Sequence, residues 1–143
     1  MQVLFPAHPN PQVRDQVEAA MGGLPRVTVT DPLEYPDLVR ALRLASLVLT
    51  DSGGIQEEAP TFGTPVVVLR DVTERVEVVE AGCAWLAGTD TARIADTAAR
   101  LLSGELRPAQ VGNPYGEGNA AALAIAAIEE LLGVRAVAPA TAS

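Results

Sequence analysis

The sequence predicts an α/β protein built on a doubly wound parallel sheet. Short apolar runs alternate with helical segments along the chain, which is the order expected when helices connect parallel strands. The runs are continuously apolar rather than alternating with polar residues, as in strands that are covered on both faces. With 143 residues, of which 48% are hydrophobic, the chain is long enough to bury one substantial core.

Five apolar runs are predicted to be strands, and each precedes a predicted helix. The strands are expected at residues 3–5, 27–29, 47–49, 66–69 and 84–86, and the helices near residues 11–21, 35–45, 54–62, 73–80 and 91–102. Asp90 is placed to cap the helix at residues 91–102, and Gly104 is placed to end it. A last helix is expected near residues 118–132, ending at Gly133.

We expect one domain over residues 1–135, because neither a linker nor an internal repeat divides them. Residues 136–143 are small, interrupted by proline and without a large side chain to bury. This tail is therefore predicted to be disordered.

Composition argues against several classes of function. The formal net charge is −8 at pH 7 and Lys and Arg form no cluster, which argues against a nucleic-acid partner. No apolar run approaches the length of a membrane span, so a membrane partner is not expected either. The single Cys83 cannot form an internal disulfide or a metal cluster and is expected to be a small buried side chain. Because the N-terminus also lacks the pattern of a secretory signal, we expect a cytoplasmic protein.

The most informative segment joins the third predicted strand to the next helix. Residues 50–60 read Thr-Asp-Ser-Gly-Gly-Ile-Gln-Glu-Glu-Ala-Pro. Gly53 and Gly54 carry no side chain, so the backbone can approach a ligand closely, and the first helical turn offers unpaired N–H groups and a positive dipole end. The turn therefore suits a phosphate group, although two glycines between a strand and a helix could equally form a plain structural turn.

Other polar residues also follow predicted strands directly. Ligands of open α/β sheets bind beyond the carboxyl ends of the strands, so His8, Ser52 and residues 70–75 should converge on one edge. His8 could donate to a phosphate oxygen, or it could only satisfy a turn. Ser52 could donate to a ligand, cap the helix, or do both.

Two charged residues also have a structural and a functional interpretation. Glu58 could complement the helix dipole or turn toward ribose hydroxyls as an acceptor, whereas Glu57 should point elsewhere, since adjacent helical residues diverge by about 100°. Arg75 stands one helical turn after Asp71 and could form an exposed ion pair with it. Alternatively, Arg75 could bind an anion.

Three segments in the same order resemble the non-hydrolysing UDP-N-acetylglucosamine 2-epimerases. The first is residues 5–11 with Arg14. The second is residues 50–60, continued by Gly63 and residues 65–75. The third is residues 113–118, which read Asn-Pro-Tyr-Gly-Glu-Gly. The resemblance covers nearly the whole chain apart from its C-terminal tail. The departures from the family pattern are Val72, Val76 and Asn119.

The resemblance implies a Rossmann-like, UDP-binding C-terminal domain, which is half of a glycosyltransferase-B type fold. The family's reaction is the interconversion of UDP-N-acetylglucosamine and UDP-N-acetylmannosamine by elimination and re-addition of UDP, a step that serves cell-envelope polysaccharides. The resemblance implies no metal and no cofactor. It places the groups that move the proton at C2 in an N-terminal domain, so this chain alone should be inactive. A homodimer is a further expectation.

The resemblance also suggests a role for individual residues. His8 would contact the diphosphate and Arg75 would stabilise the charge on departing UDP, so these two are the candidate catalytic residues. The candidate substrate-binding residues are Ser52, Gly53, Gly54, Glu58, Arg70 and Leu38. Among them, Glu58 would bind the ribose, and Leu38 matches a position near the uracil.

The sequence is also compatible with other functions. They are a UDP-sugar glycosyltransferase donor domain, a hydrolysing epimerase, and a non-catalytic nucleotide-sugar module or inactive gene fragment. The sequence of residues 51–54, Asp-Ser-Gly-Gly, disfavours a hydrolysing epimerase, because those enzymes usually have a serine-rich turn there.

By the same resemblance, the fold lacks its first strand, which would lie before Met1 in the middle of the sheet. If the strand order is 3-2-1-4-5-6, the strands at residues 3–5 and 47–49 face that missing partner. Unpaired backbone groups on both strands would make an isolated monomer poorly stable. A truncated reading frame, a mis-called start or a deliberate cut would account for this.

Overall fold

The computed structural model describes residues 1–109 and 113–134, in which strands and helices alternate as predicted. The elements are β1 (Val3–Pro6), α1 (Pro11–Met21), β2 (Val27–Thr30), α2 (Tyr35–Leu44), β3 (Val48–Thr50), α3 (Gly53–Glu58), a 3₁₀-helix (Ala59–Phe62), β4 (Val66–Val68), α4 (Val76–Glu80), β5 (Ala84–Leu86), α5 (Thr91–Ser103) and α6 (Ala120–Leu132). All strand pairs are parallel. The α/β class is therefore confirmed.

The chain divides into two compact units, of which the first is Met1–Ala45. In this unit β1 pairs with β2, from Val3 opposite Val27 to Pro6 opposite Thr30. The helix α1 begins where the Asn10 side chain accepts a hydrogen bond from the Gln12 N–H, at 3.0 Å. A single domain over residues 1–135 stays a prediction, and residues 136–143 lie outside the described residues.

The second unit begins at Ser46 and contains a three-stranded sheet in the order β3-β4-β5. The central strand β4 is paired on both edges and consists of three valines with 0% exposure. Val67 packs in a cluster with Ala87 and with Leu101 of α5. The buried middle strand thus gives this unit its core.

One strand at the edge of each sheet keeps apolar side chains open to solvent. Among the described residues, β1 pairs with β2 alone and β3 pairs with β4 alone. Leu4 on β1 is 47% exposed and Leu49 on β3 is 49% exposed. Such open edges match the expectation of a partial Rossmann-like sheet.

One predicted helix differs in type and two begin later than predicted, each for a local reason. The helix expected at residues 54–62 changes from α3 to the 3₁₀-helix near Pro60, which lacks a backbone donor. The helix expected at residues 73–80 begins only at Val76, because the Thr73 hydroxyl accepts the Arg75 N–H and holds the preceding residues as a loop. The helix expected from residue 118 begins at Ala120, after Gly118 with φ 77°.

The helix α6 is apolar yet has no buried residue. Its large side chains Leu123, Ile125, Ile128, Leu131 and Leu132 are all exposed. Within residues 1–109 and 113–134, no helix is both long and apolar enough to cross a bilayer.

The cap of α5 can be tested by substitution. Asp90 Oδ1 accepts the Arg93 N–H at 2.8 Å, and Gly104 ends the helix with φ 78°, as predicted. Asp90→Ala should lower the free energy of unfolding by about 1 kcal/mol, since the cap is lost. Asp90→Asn, which keeps a capping oxygen, should lose much less. Urea denaturation measures both, and equal losses would contradict a capping role.

Candidate functional site

The turn at residues 50–54 lies at the carboxyl end of β3 and leads into α3. The Ser52 N–H donates to Thr50 Oγ1 at 3.0 Å, which closes the turn. Ser52 occupies the N-cap position of α3, but its side chain forms no capping hydrogen bond. Of the two interpretations of Ser52, capping by the hydroxyl is therefore not realised, and the hydroxyl is available to a ligand.

The fold itself does not require glycine at positions 53 and 54. Neither residue has a positive φ. A Cβ added to Gly53 would meet Arg75 Nη2 at 3.6 Å, and one added to Gly54 would meet Ser52 Oγ at 3.9 Å, which are ordinary van der Waals contacts. Glycine in a helix is less stable than alanine by about 0.5–1 kcal/mol. The bare backbone therefore costs stability, as expected where a ligand needs to approach closely.

The predicted anion-binding role of this turn would depend on N–H groups rather than on a long helix. The helix α3 has six residues, and the first N–H groups of any helix have no partner within it. The Gln56 N–H already donates to the Ser52 carbonyl at 3.2 Å. The backbone N–H groups that could bind an anion are therefore those nearest Gly53 and Gly54.

Arg75 lies over this turn and is paired with a residue of α3. Its Nη2 is the nearest atom to a Cβ placed on Gly53, and its Nε donates to Glu57 Oε1. The hydrogen bond and the charge of Glu57 raise the pKa of Arg75. The alternative pairing with Asp71 is wrong, because residues 71–75 are not helical and the two side chains do not share a helical face.

The adjacent residues Glu57 and Glu58 differ in their surroundings. Glu57 binds Arg75, whereas Glu58 Oε2 is buried with no hydrogen-bond partner in the described part of the chain. A buried carboxylate oxygen without a donor is costly. A ligand hydroxyl would supply that donor, which supports the predicted role of Glu58.

A series of buried hydrogen bonds, which the sequence does not predict, joins the turn to the Arg75 loop. Gln56 has 0% exposure, and its Nε2 donates to the Ser52 carbonyl at 3.2 Å. Thr73 Oγ1 donates to Gln56 Oε1 at 2.7 Å and accepts the Arg75 N–H at 3.1 Å. The only sign of these hydrogen bonds in the sequence is a glutamine close to the glycine turn. It does not identify Thr73 as the partner of that glutamine.

The second predicted arginine has a different partner. Arg70 Nη1 lies 3.5 Å from Glu74 Oε2, and both side chains are exposed. Such exposed pairs contribute little stability. Arg70 as a substrate-binding residue stays a prediction.

The C-terminal motif at residues 113–118 contacts the 3₁₀-helix and lies near Arg75. Asn113 Nδ2 donates to Thr61 Oγ1 at 3.0 Å, and Asn113 Oδ1 accepts the Tyr115 N–H at 3.0 Å. Burial raises the pKa of Tyr115, as do the nearby carboxylates of Glu77 and Glu57. The phenol is therefore neutral and stands near the Glu57–Arg75 pair.

His8 and Leu38 belong to the first unit. His8 follows β1, and its Nδ1 accepts the Asn10 N–H at 3.2 Å, so the histidine does satisfy a turn. This contact leaves Nε2 as the protonated nitrogen of a neutral ring, so His8 can still donate. Leu38 is half-buried in α2. The convergence of His8 with the turn at residue 53 stays a prediction.

A cavity of about 330 Å³ lies at the other end of the second sheet. Its lining residues are Pro60, Gly63, Thr64, Cys83, Arg107, Pro108 and Ala109. Thr64 and Cys83 precede β4 and β5, so the cavity lies at the amino ends of the strands and away from the glycine turn. Cys83 is buried, as predicted, and this burial raises the pKa of its thiol.

Metal-ligating side chains are not clustered in the described residues. No group of three or more His, Cys, Asp or Glu side chains in residues 1–109 and 113–134 is placed to hold a metal ion.

The chain is similar to known proteins along most of its length. The model of the UDP-N-acetylglucosamine 2-epimerase family matches residues 1–129. The UDP-N-acetylglucosamine 2-epimerase of Escherichia coli K12 is 45% identical over 132 residues, which are 90% of this chain and 35% of the relative. The Bacillus subtilis relative of the same name is 45% identical over 135 residues, again covering 35% of its length. The chain thus spans about a third of these relatives.

Solved structures agree with this similarity. The S. aureus MnaA–UDP co-structure has a TM-score of 0.85 and 36% identity, covering 99% of this chain and 39% of that one. The UDP-GlcNAc 2-epimerase from Neisseria meningitidis bound to UDP-GlcNAc has a TM-score of 0.81 and 36% identity, covering 91% of this chain and 36% of that one. The chain therefore belongs to the UDP-N-acetylglucosamine 2-epimerase family.

Proposed function

We propose that this chain is the UDP-binding portion of a UDP-N-acetylglucosamine 2-epimerase. Its diphosphate site would be the turn at residues 52–54 together with Arg75. The observation that carries the proposal is the bare backbone at Gly53 and Gly54, which the fold does not require and over which a guanidinium lies. Two similar structures were solved with UDP or UDP-GlcNAc, which supports the same ligand here.

The proposed reaction needs a site that stabilises a departing diphosphate. When the bond between C1 of the sugar and the diphosphate oxygen breaks, negative charge grows on UDP as a proton leaves C2. Arg75 and the N–H groups of the turn would stabilise this charge more strongly in the transition state than in the bound substrate. UDP then adds back to the 2-acetamidoglucal while a proton reaches the opposite face of C2.

The remaining predicted residues have separate roles in the proposal. Ser52 donates its uncommitted hydroxyl to the diphosphate, and His8 donates through Nε2. Glu58 accepts a hydrogen bond from the ribose at its buried Oε2. Leu38 lies near the uracil, and Arg70 adds positive charge nearby.

The C2 proton transfer is assigned to the part of the relatives that this chain does not span. Since the chain covers 35% of the E. coli relative, we expect UDP binding without epimerisation from the chain alone. A homodimer and a cytoplasmic location belong to the same proposal. The relatives are epimerases, and no observation favours a glycosyltransferase donor domain.

Gly54→Ala separates a ligand role from a folding role. The new methyl group would occupy space reserved for the diphosphate, so UDP affinity should fall at least about tenfold. The free energy of unfolding should stay equal or rise by up to about 1 kcal/mol, because alanine favours helix. Calorimetric titration and urea denaturation measure the two quantities.

Gly63→Ala is a control for which the reverse result is expected. Gly63 has φ 71°, so alanine there should cost about 1 kcal/mol of stability and leave UDP affinity unchanged. A Gly54→Ala variant that loses stability but keeps its affinity would show that the glycine serves the fold.

Arg75→Ala tests which arginine binds the diphosphate. Losing a charged hydrogen-bond donor should weaken UDP binding by about 10- to 100-fold and change uridine binding little, since uridine has no phosphate. Arg70→Ala is the matched control and should have a smaller effect, because the guanidinium that lies beside Gly53 is that of Arg75. The assignment fails if both variants lose UDP equally, or if Arg75→Ala weakens uridine as much as UDP.

A further inference from the structure

Gln56 is a fully buried polar residue whose side-chain amide bonds both to the start of its own helix and to a loop outside it. Its Nε2 donates to the Ser52 carbonyl one turn earlier at 3.2 Å, while its Oε1 accepts from Thr73 at 2.7 Å. A buried amide must have partners, because an unsatisfied one is costly. The partner of the oxygen lies 17 residues further along the chain, in the loop after β4.

The donor and acceptor of each bond are fixed. The Ser52 carbonyl can only accept, so the Gln56 amide nitrogen must face it and the amide oxygen must face Thr73. The Thr73 hydroxyl gives its one proton to that oxygen and accepts the Arg75 N–H on a lone pair at 3.1 Å. Three bonds thus run in one direction from the Arg75 backbone to the Ser52 backbone, an arrangement in which each bond polarises the next.

These hydrogen bonds hold a residue whose backbone lies outside regular secondary structure. Arg75 precedes α4 with φ −100° and ψ 59°, which is neither helix nor strand. Its guanidinium is held separately by Glu57, so the Thr73 bond positions the backbone and Glu57 positions the charged group. Together they keep Arg75 Nη2 3.6 Å from the Cβ position of Gly53.

We propose that Gln56 and Thr73 are positioning residues for the diphosphate site. Their buried hydrogen bonds hold Arg75 at a fixed distance from the glycine turn. One diphosphate can then contact both Arg75 and the turn without rearrangement of the loop. The inference rests on the proposed UDP site, and it assigns roles to two residues that need not touch the ligand. A preorganised arginine also loses less side-chain entropy on binding than a mobile one.

Thr73→Val and Thr73→Ser form a matched pair for the test. Valine keeps the shape but removes both hydrogen bonds, so UDP affinity should fall about tenfold while uridine affinity stays within about twofold. Serine keeps the hydroxyl and should bind UDP within about twofold of the unaltered chain. Calorimetric titration of the whole chain measures each. Equal losses for UDP and uridine, or no loss for Thr73→Val, would overturn the inference.

A double-mutant cycle with Arg75→Ala tests whether Thr73 acts through the arginine. In the Arg75→Ala background, Thr73→Val should cause no further loss of UDP affinity, because there is no guanidinium left to position. A full tenfold loss in that background would overturn the positioning role while leaving the proposed UDP site intact. If Thr73→Val does not fold, Thr73→Ala, which lacks the hydroxyl and adds no bulk, takes its place in the cycle.

The two proposals fail in different ways. An unaltered, folded chain that binds no UDP would overturn the proposed function and this inference with it. An unaltered chain that binds UDP, with additive losses from Thr73→Val and Arg75→Ala, would overturn only the inference.

Discussion

The proposed diphosphate site depends on backbone that must stay uncovered where an anion would approach. Gly53 and Gly54 lie in ordinary helical geometry with room for a Cβ, so their lack of side chains has no structural benefit. The local loss of helix stability is offset elsewhere in the unit, by the fully buried strand β4 and by the bonds of Gln56. A stable strand beneath a weak turn is a common way for α/β proteins to combine a rigid base with a binding loop.

The register of the second sheet explains why the turn and the arginine loop meet. Thr50 at the end of β3 pairs with Val68 at the end of β4, and the Leu69 N–H donates to the Thr50 carbonyl at 2.9 Å. Parallel pairing therefore starts both connecting segments at one edge of the sheet. The bonds of Gln56 and Thr73 then set the spacing between them, and Glu57 holds the guanidinium in place.

The sequence predicts the features that depend on local chemistry. The order of strands and helices follows from hydrophobic patterning, the Asp90 cap and the Gly104 stop follow from single residues, and the glycine turn follows from two adjacent ones. The partner of Arg75 could not be predicted, because the spacing to Asp71 matters only in a helix and the residues between them form a loop. The hydrogen bond between Gln56 and Thr73 could not be predicted from the sequence either, since it forms only when β3 and β4 pair.

The most direct measurement follows the amide signals of the turn by ¹H–¹⁵N NMR as ligand is added. UDP should shift the Gly53 and Gly54 amide signals strongly, because a phosphate oxygen accepts hydrogen bonds from the backbone there. Uridine, which lacks the diphosphate, should shift the same two signals much less. If these amides do not move at saturating UDP, or move equally with uridine, the backbone of the turn does not bind the diphosphate and the central claim is wrong.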